Sequence, residues 1–197
     1  SVLRTEETAC IAESPTSAAR RHAETVALLL QGNASAAMVR GQLDRRSPLH
    51  IALLTRAPCS VVLALLAAAP AMVCEPLRDV YSHKKGEGGE TPLHTAILRG
   101  VPAPTLVRMV EVGGATGAGQ LNSRGETPLH CAIAMGSPLT IVAALVAVSP
   151  LSVGRRNRSN ETAFDLAVRH SASLEAFETM LAASPKPTWL PGNGGKS

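Results

Sequence analysis

Aromatic side chains are almost absent: Tyr81, Phe164, Phe177 and Trp189 are the four in a chain of 197 residues. A core without aromatic bulk has to be filled by alanine, leucine and valine. Alanine and leucine are strong helix formers, so the composition points to an all-α fold. The same shortage argues against binding of single-stranded nucleic acid, which relies on aromatic stacking platforms. A dense basic load is missing too. The formal net charge of +4 suits an acidic partner surface but falls short of a dedicated nucleic-acid binder. The four cysteines, at 10, 59, 74 and 131, show neither a CxxC pair nor the Cys/His spacing of a zinc site. They are expected to be buried free thiols in a reducing compartment, and no metal or cofactor is expected.

Uninterrupted apolar spans are also lacking. Residues 127–154 and 57–74 contain no Asp, Glu, Lys or Arg, yet Gly136-Ser137-Pro138, Pro150 and Pro70 interrupt them. A membrane-spanning helix needs about 20 continuous apolar residues, and an interior proline costs roughly 3 kcal/mol. No membrane insertion is expected. The opening "SVLRTEETACIAESP" has no apolar segment of the signal-peptide kind. Because the chain begins at Ser1, an upstream targeting segment stays open, and the expected compartment is the cytoplasm or the nucleus. With 45% apolar residues, the chain can bury a real core and is not a disordered one.

What the chain does have is a period. "GETPLHTAILRG" at 89–100 and "GETPLHCAIAMG" at 125–136 agree at nine of twelve letters. With drift the phrase appears four times: "SPLHIAL" from 47, "TPLHTAI" from 91, "TPLHCAI" from 127 and "TAFDLAV" from 162. A second marker keeps its distance from the first. Pro70, Pro150 and Pro185 each stand 22 residues after the second letter of their phrase, and Gly114 holds that offset in the remaining copy. Two markers with one spacing identify a repeated unit.

Each unit reads as two helices. Thr91 or Thr127 is a good N-cap, and Pro92 or Pro128 follows where its missing N–H is harmless. Leu93, Ala96 and Ile97 share one face, as do Leu129, Ala132 and Ile133. Gly100 and Gly136 close this short helix. Prolines at 58, 102 and 138 open a second helix with an apolar stripe: Val61, Val62, Leu65 and Leu66, or Ile141, Val142, Leu145 and Val146. The polar, glycine-containing gaps between units read as turns.

The period, the T-P-L-H-x-A phrase, the glycine before the second helix and the aliphatic second helix resemble the ankyrin repeat family. The resemblance covers about 43–183 and is strongest over 86–150. It implies an all-α solenoid of stacked helix-turn-helix units with short hairpin or loop connections. About four units start near 47, 91, 127 and 162. A degenerate capping repeat over 1–42 precedes them, and a flexible tail over 184–197 follows. The chain departs from the family at several places. The family's "GADVN" ending is absent. Arg56 and Ser171 stand where glycine closes the first helix, and Arg45 and Asn160 where glycine precedes the phrase. The first step of 44 residues implies an insertion in "EPLRDVYSHKKGEGG" (75–89).

His50, His94 and His130 invite a catalytic reading, each lying three residues after a Ser or Thr. A cap interaction explains that spacing, however, and no third orienting group recurs with it. The family resemblance implies that this histidine ties turn to helix within and between units. The structural motif is therefore Thr91, Pro92, Leu93, His94, Thr127, Pro128, Leu129 and His130, and no catalytic residue is expected. His22, His83 and His170 receive no role. The terminal "GKS" and the "KKGEGGE" segment lack the flanking strand and helix of a phosphate-binding loop.

The resemblance places partner binding on the concave face and the turns, just before each phrase and at the end of each first helix. Carried over by position, the candidates are Leu54, Thr55, Glu87, Glu90, Leu98, Arg99, Ser123, Arg124, Glu126, Ala134 and Met135, then Arg155, Arg156, Arg158 and Glu161. For Met135, burial inside the stack and exposure on the ledge are both open. Arg45, Arg46, Lys84, Lys85, Arg124, Arg155, Arg156 and Arg158 would form a basic row along the turns, suited to an acidic protein segment. The expectation is a monomeric, non-enzymatic protein-interaction module. The alternative is a regulatory or targeting segment of a larger protein, such as an enzyme.

Overall fold

The computed structural model describes residues 46–76 and 89–184. The expected capping repeat, Glu87, residues 77–88 of the insertion expected at 75–89 and residues 185–197 of the expected tail lie outside them. Among the described residues there are eight α-helices and no strand. They are α1 (Pro48–Leu54), α2 (Cys59–Ala68), α3 (Pro92–Leu98), α4 (Ala103–Ala118), α5 (Pro128–Ala134), α6 (Leu139–Val148), α7 (Ala163–Arg169) and α8 (Leu174–Ala183). Short 3-10 turns at Pro70–Cys74 and Pro150–Ser152 follow α2 and α6.

Local chemistry sets the ends of the first helices. Ser47, Thr91, Thr127 and Thr162 take extended φ/ψ, and each side-chain oxygen accepts the N–H of the residue three further on. Such a cap is worth about 1 kcal/mol. At the other end all four helices close in one way. The N–H groups of Arg56, Gly100, Gly136 and Ser171 reach back three residues, and those of Ala57, Val101, Ser137 and Ala172 reach back five. This pairing requires a left-handed residue after the cap. The four φ values there are +54°, +66°, +61° and +52°. Arg56 and Ser171 thus adopt the backbone that the repeat pattern reserves for glycine.

The second helices begin differently. Pro58, Pro102 and Pro138 are their caps, one residue outside the helix and with no side-chain hydrogen bond, whereas Ser173 accepts the N–H of Ala176. At the far end Pro70 and Pro150 push the preceding Ala69 and Ser149 out of the helical region, to φ −141°. Where Gly114 replaces the proline, α4 breaks at φ +52° and the chain runs on helically to Ala118.

The helices pack in two rows. In one row α1 lies on α3, α3 on α5 and α5 on α7; in the other α2 contacts α4, α4 contacts α6 and α6 contacts α8. The first and second helix of every unit also touch. The core between the rows is aliphatic. Leu49, Leu93 and Leu129 are fully buried, a burial worth about 1.5–3 kcal/mol for each. Packing therefore outweighs capping.

Units bury one another. Leu53, Ile97 and Ile133, at one position of the first three units, are 2%, 2% and 3% exposed, whereas Val168 at that position of the last unit is 70% exposed. Leu66, Val110 and Val146 are likewise buried, and their counterpart Leu181 is 68% exposed. The same apolar letter is core or surface according to whether another of the described helix pairs packs on it. The expectation that all cysteines are buried needs correction: Cys131 is, but Cys59 and Cys74 are only half-buried. Cys59 starts α2 and Cys74 ends a 3-10 turn, and such termini stay partly open to solvent.

Two stability measurements check this account. Ile133→Ala should cost about 2–4 kcal/mol in urea unfolding, in the usual range for deleting a buried branched side chain, while Val168→Ala should change it by less than about 0.5 kcal/mol. Replacing Arg56 or Ser171 by glycine should raise stability by about 1 kcal/mol each, by relieving the left-handed penalty. A lower urea midpoint for both variants would contradict the closure described.

Candidate functional site

The three phrase histidines are buried, and the Nδ1 of each lies against the Ser or Thr that caps its helix. Thr91 N–H points at His94 Nδ1 at 3.3 Å, the Thr91 hydroxyl lies 2.9 Å from the same nitrogen, and the His94 N–H bonds back to that hydroxyl oxygen at 3.4 Å. The Nε2 of His94 lies 3.0 Å from the carbonyl of Glu126, in the turn of the next unit. His130 repeats the arrangement with Thr127, and its Nε2 meets the carbonyls of Arg155 at 3.1 Å and Glu161 at 3.3 Å. A backbone N–H can only donate and a carbonyl can only accept. Nδ1 must therefore be bare and Nε2 must carry the proton. His50 caps α1 with Ser47 in the same manner, Nδ1 to Oγ at 2.7 Å. In the last unit Asp165 takes the position. Its Oδ2 accepts the Thr162 N–H and hydroxyl, both at 2.8 Å, which holds its carboxyl below the usual range. The carboxylate keeps the cap but has no second donor.

His94 and His130 are closed to solvent in this arrangement. Thr91 and His94, and Thr127 and His130, are fully buried, so no substrate atom can reach the hydroxyl, and each second nitrogen is committed to a carbonyl. Among the described residues no group of three potential metal ligands converges. Burial drives the His94 pKa down to about 4, with the Glu126 carbonyl and carboxylate pulling weakly the other way. Burial lowers that of His130 as well. The Cys131 thiol is pushed up to about 12, first by burial and then by Glu126. It stays protonated and unreactive.

The turns between units carry a second repeated device. Asn122 Oδ1 accepts the N–H groups of Arg124 and Glu126, and Asn157 Oδ1 those of Ser159 and Glu161, all at 2.9 Å. Each asparagine also closes the turn by its own N–H, to the carbonyl of Glu126 or Glu161. Successive turns touch. The Arg158 N–H donates to the Arg124 carbonyl at 2.9 Å, and a Cβ on Gly125 would sit 3.1 Å from the Arg158 nitrogen. The asparagines were not among the sequence candidates. Their signal is the recurrence of N-x-x-x-E-T at 122–127 and 157–162.

The predicted partner-binding residues divide by duty. Glu126 and Glu161 are half-buried and structural: one carboxylate accepts from Asn122 Nδ2 at 2.9 Å, the other pairs with Arg169. Arg155 donates to the Gly119 carbonyl at 2.8 Å and Arg156 to the Asn160 carbonyl at 2.6 Å, so both guanidinium groups also brace the turns. The Thr55 hydroxyl donates to the Ile51 carbonyl at 2.8 Å. Leu54, Glu90 and Ser123 are half-buried, while Arg99, Arg124, Ala134 and Arg158 are exposed. Leu98 is 38% exposed and Met135 52%. Exposure, not burial, is the outcome for Met135. Lys84, Lys85 and Arg45 of the expected basic row lie outside the described residues. No helix among those described is long and apolar enough to cross a membrane.

No protein-family model matches the chain, and no curated protein matches it. The site therefore has to be read from its own geometry.

The buried neutral imidazoles predict a pH dependence. The folded pKa of His94 lies below the unfolded value of 6.5, so the unfolded chain binds the proton first. Stability is complete above pH 6.5 and declines as pH falls towards 4, by up to about 3 kcal/mol from His94 alone. Urea unfolding at pH 7.0, 5.5 and 4.5 should show the decline, and His94→Ala should flatten it. An imidazole nitrogen spectrum at pH 5 with a protonated His94 Nδ1 would refute the assignment.

Proposed function

We propose that this protein is a non-enzymatic interaction module of the ankyrin-repeat kind, binding a protein partner with an acidic surface. The partner lies along the ends of the first helices, at Leu98, Arg99, Ala134 and Met135, and against the arginine-bearing turns. The observation that carries the reading is a division of labour within the repeated unit. The Thr, His and Leu letters are buried as framework. The letters at the ends of α3 and α5 are turned to solvent in successive units, with three apolar side chains and one arginine among them. A row of exposed apolar and cationic groups on rigid, periodic supports fits a peptide or protein surface better than a small substrate, which needs a convergent pocket.

The electrostatic part is supported by Arg124, Arg155, Arg156 and Arg158, all exposed on adjoining turns. Bracing Arg155 and Arg156 against carbonyls fixes where they point and does not remove their charge. Complementary charge of this sort raises the rate of encounter more than it deepens binding.

Arg124 and Arg158 make no side-chain hydrogen bond among the described residues, so they test steering without disturbing the turns. Arg124→Glu with Arg158→Glu should slow association with an immobilised polyglutamate chain about tenfold at low salt, and leave the thermal melt in place. Equal on-rates for wild type and variant would sink the basic edge. Tight capture of duplex DNA with a steep salt dependence would favour a nucleic-acid partner instead.

A further inference from the structure

Between the turns that close α3 and α5 lies a groove of about 290 Å³. Gly100, Val101 and Pro102 line one side and Met135, Gly136 and Pro138 the other, over a floor set by the buried Ile97, Leu106 and Ile141. Gly100 and Gly136 stand on its two sides, and nothing lies within 4 Å of where a Cβ would project from either. The corresponding turns on either side of this pair carry Arg56 and Ser171, which have a side chain at the left-handed position. The central junction is thus where two consecutive closures both lack a side chain, and the space between them is left open.

The groove is lined without a single charged residue, and residues 127–154 contain no Asp, Glu, Lys or Arg. The charged side chain next to it in sequence is the exposed Arg99, adjoining Gly100. The arginine turns lie at the opposite end of the seven-residue helix α5, about 10 Å away. An extended chain covers that distance in about three residues. We propose that this groove receives one apolar side chain, such as phenylalanine or leucine, from an extended acidic protein segment whose carboxylates meet Arg99 and the turn arginines. The volume is near the lower end for ligand pockets, about 300 Å³, which suits one or two side chains and excludes a bulky cofactor. Met135 at the mouth is unbranched and can adjust to the shape of the anchor. The inference rests on the interaction reading above and deepens it, assigning the specificity of that face to one anchor position.

The probe is a nine-residue peptide with one phenylalanine between two serines, flanked by glutamate triplets, titrated into the full chain and followed by NMR. Saturable shifts should appear at the Met135 methyl and at the Gly100 and Gly136 amides. Changing the phenylalanine to alanine should weaken binding at least tenfold. Gly136→Ser should have the same effect, and Ser171 shows that this turn accepts serine. Met135→Glu, at an exposed site, provides a second variant with little risk to folding and should also weaken binding at least tenfold. If the phenylalanine and alanine peptides bind alike, or if neither variant matters, the groove is not an anchor site, although docking on the arginine edge survives. If no peptide produces a saturable shift anywhere, Arg124 and Arg158 included, the docking reading fails with it.

Discussion

Burial of one unit's apolar stripe by the next helix pair is the interaction on which everything else in this molecule depends. A seven-residue helix packed on a ten-residue one has too little interior to stand alone. The difference between Ile133 and Val168, chemically similar and identically placed, measures that dependence directly. The hydrogen bonds that run between units are secondary in energy, at about 1 kcal/mol net for each. They determine how neighbouring units are aligned once apolar contact has brought them together.

The histidine of the repeated phrase shows how that alignment is achieved. Imidazole offers an acceptor and a donor on opposite sides of a rigid ring. Nδ1 can therefore finish a helix cap while Nε2–H reaches a carbonyl about thirty residues further on. A carboxylate can perform only the first task, which is what Asp165 does in the last described unit. The arrangement works only with a neutral ring, and burial keeps it neutral. A group that looks catalytic by type is thereby closed off from solvent by its surroundings.

Units whose framework is fixed by burial leave the helix ends and turns free to vary, and that is where the chain departs from its own pattern. Arg56, Ser171 and Asn160 stand in left-handed backbone where glycine would be less strained, and the neighbouring hydrogen bonds hold them there. Asn122 and Asn157 shape the turns with side-chain oxygens. The exposed arginines and Met135 ride on these supports. The proposed partner surface is thus a product of the places where the repeat is least strict.

The sequence by itself determined the helical class, the caps of the first helices and the closures at Gly100 and Gly136. Each of these is a contact between residues three to five apart, so spacing along the chain is enough to reveal it. It did not determine which copies of an apolar letter would be buried, because Val168 and Ile133 differ only in what lies against them. Nor could it find the groove, whose lining brings together Gly100 and Gly136, 36 residues apart in the chain. The destinations of the His94 and His130 Nε2–H groups were likewise decided by the tertiary structure, since the carbonyls that accept them belong to another unit. Local rules wrote the unit; only the packing of one unit on another decided what its surface presents.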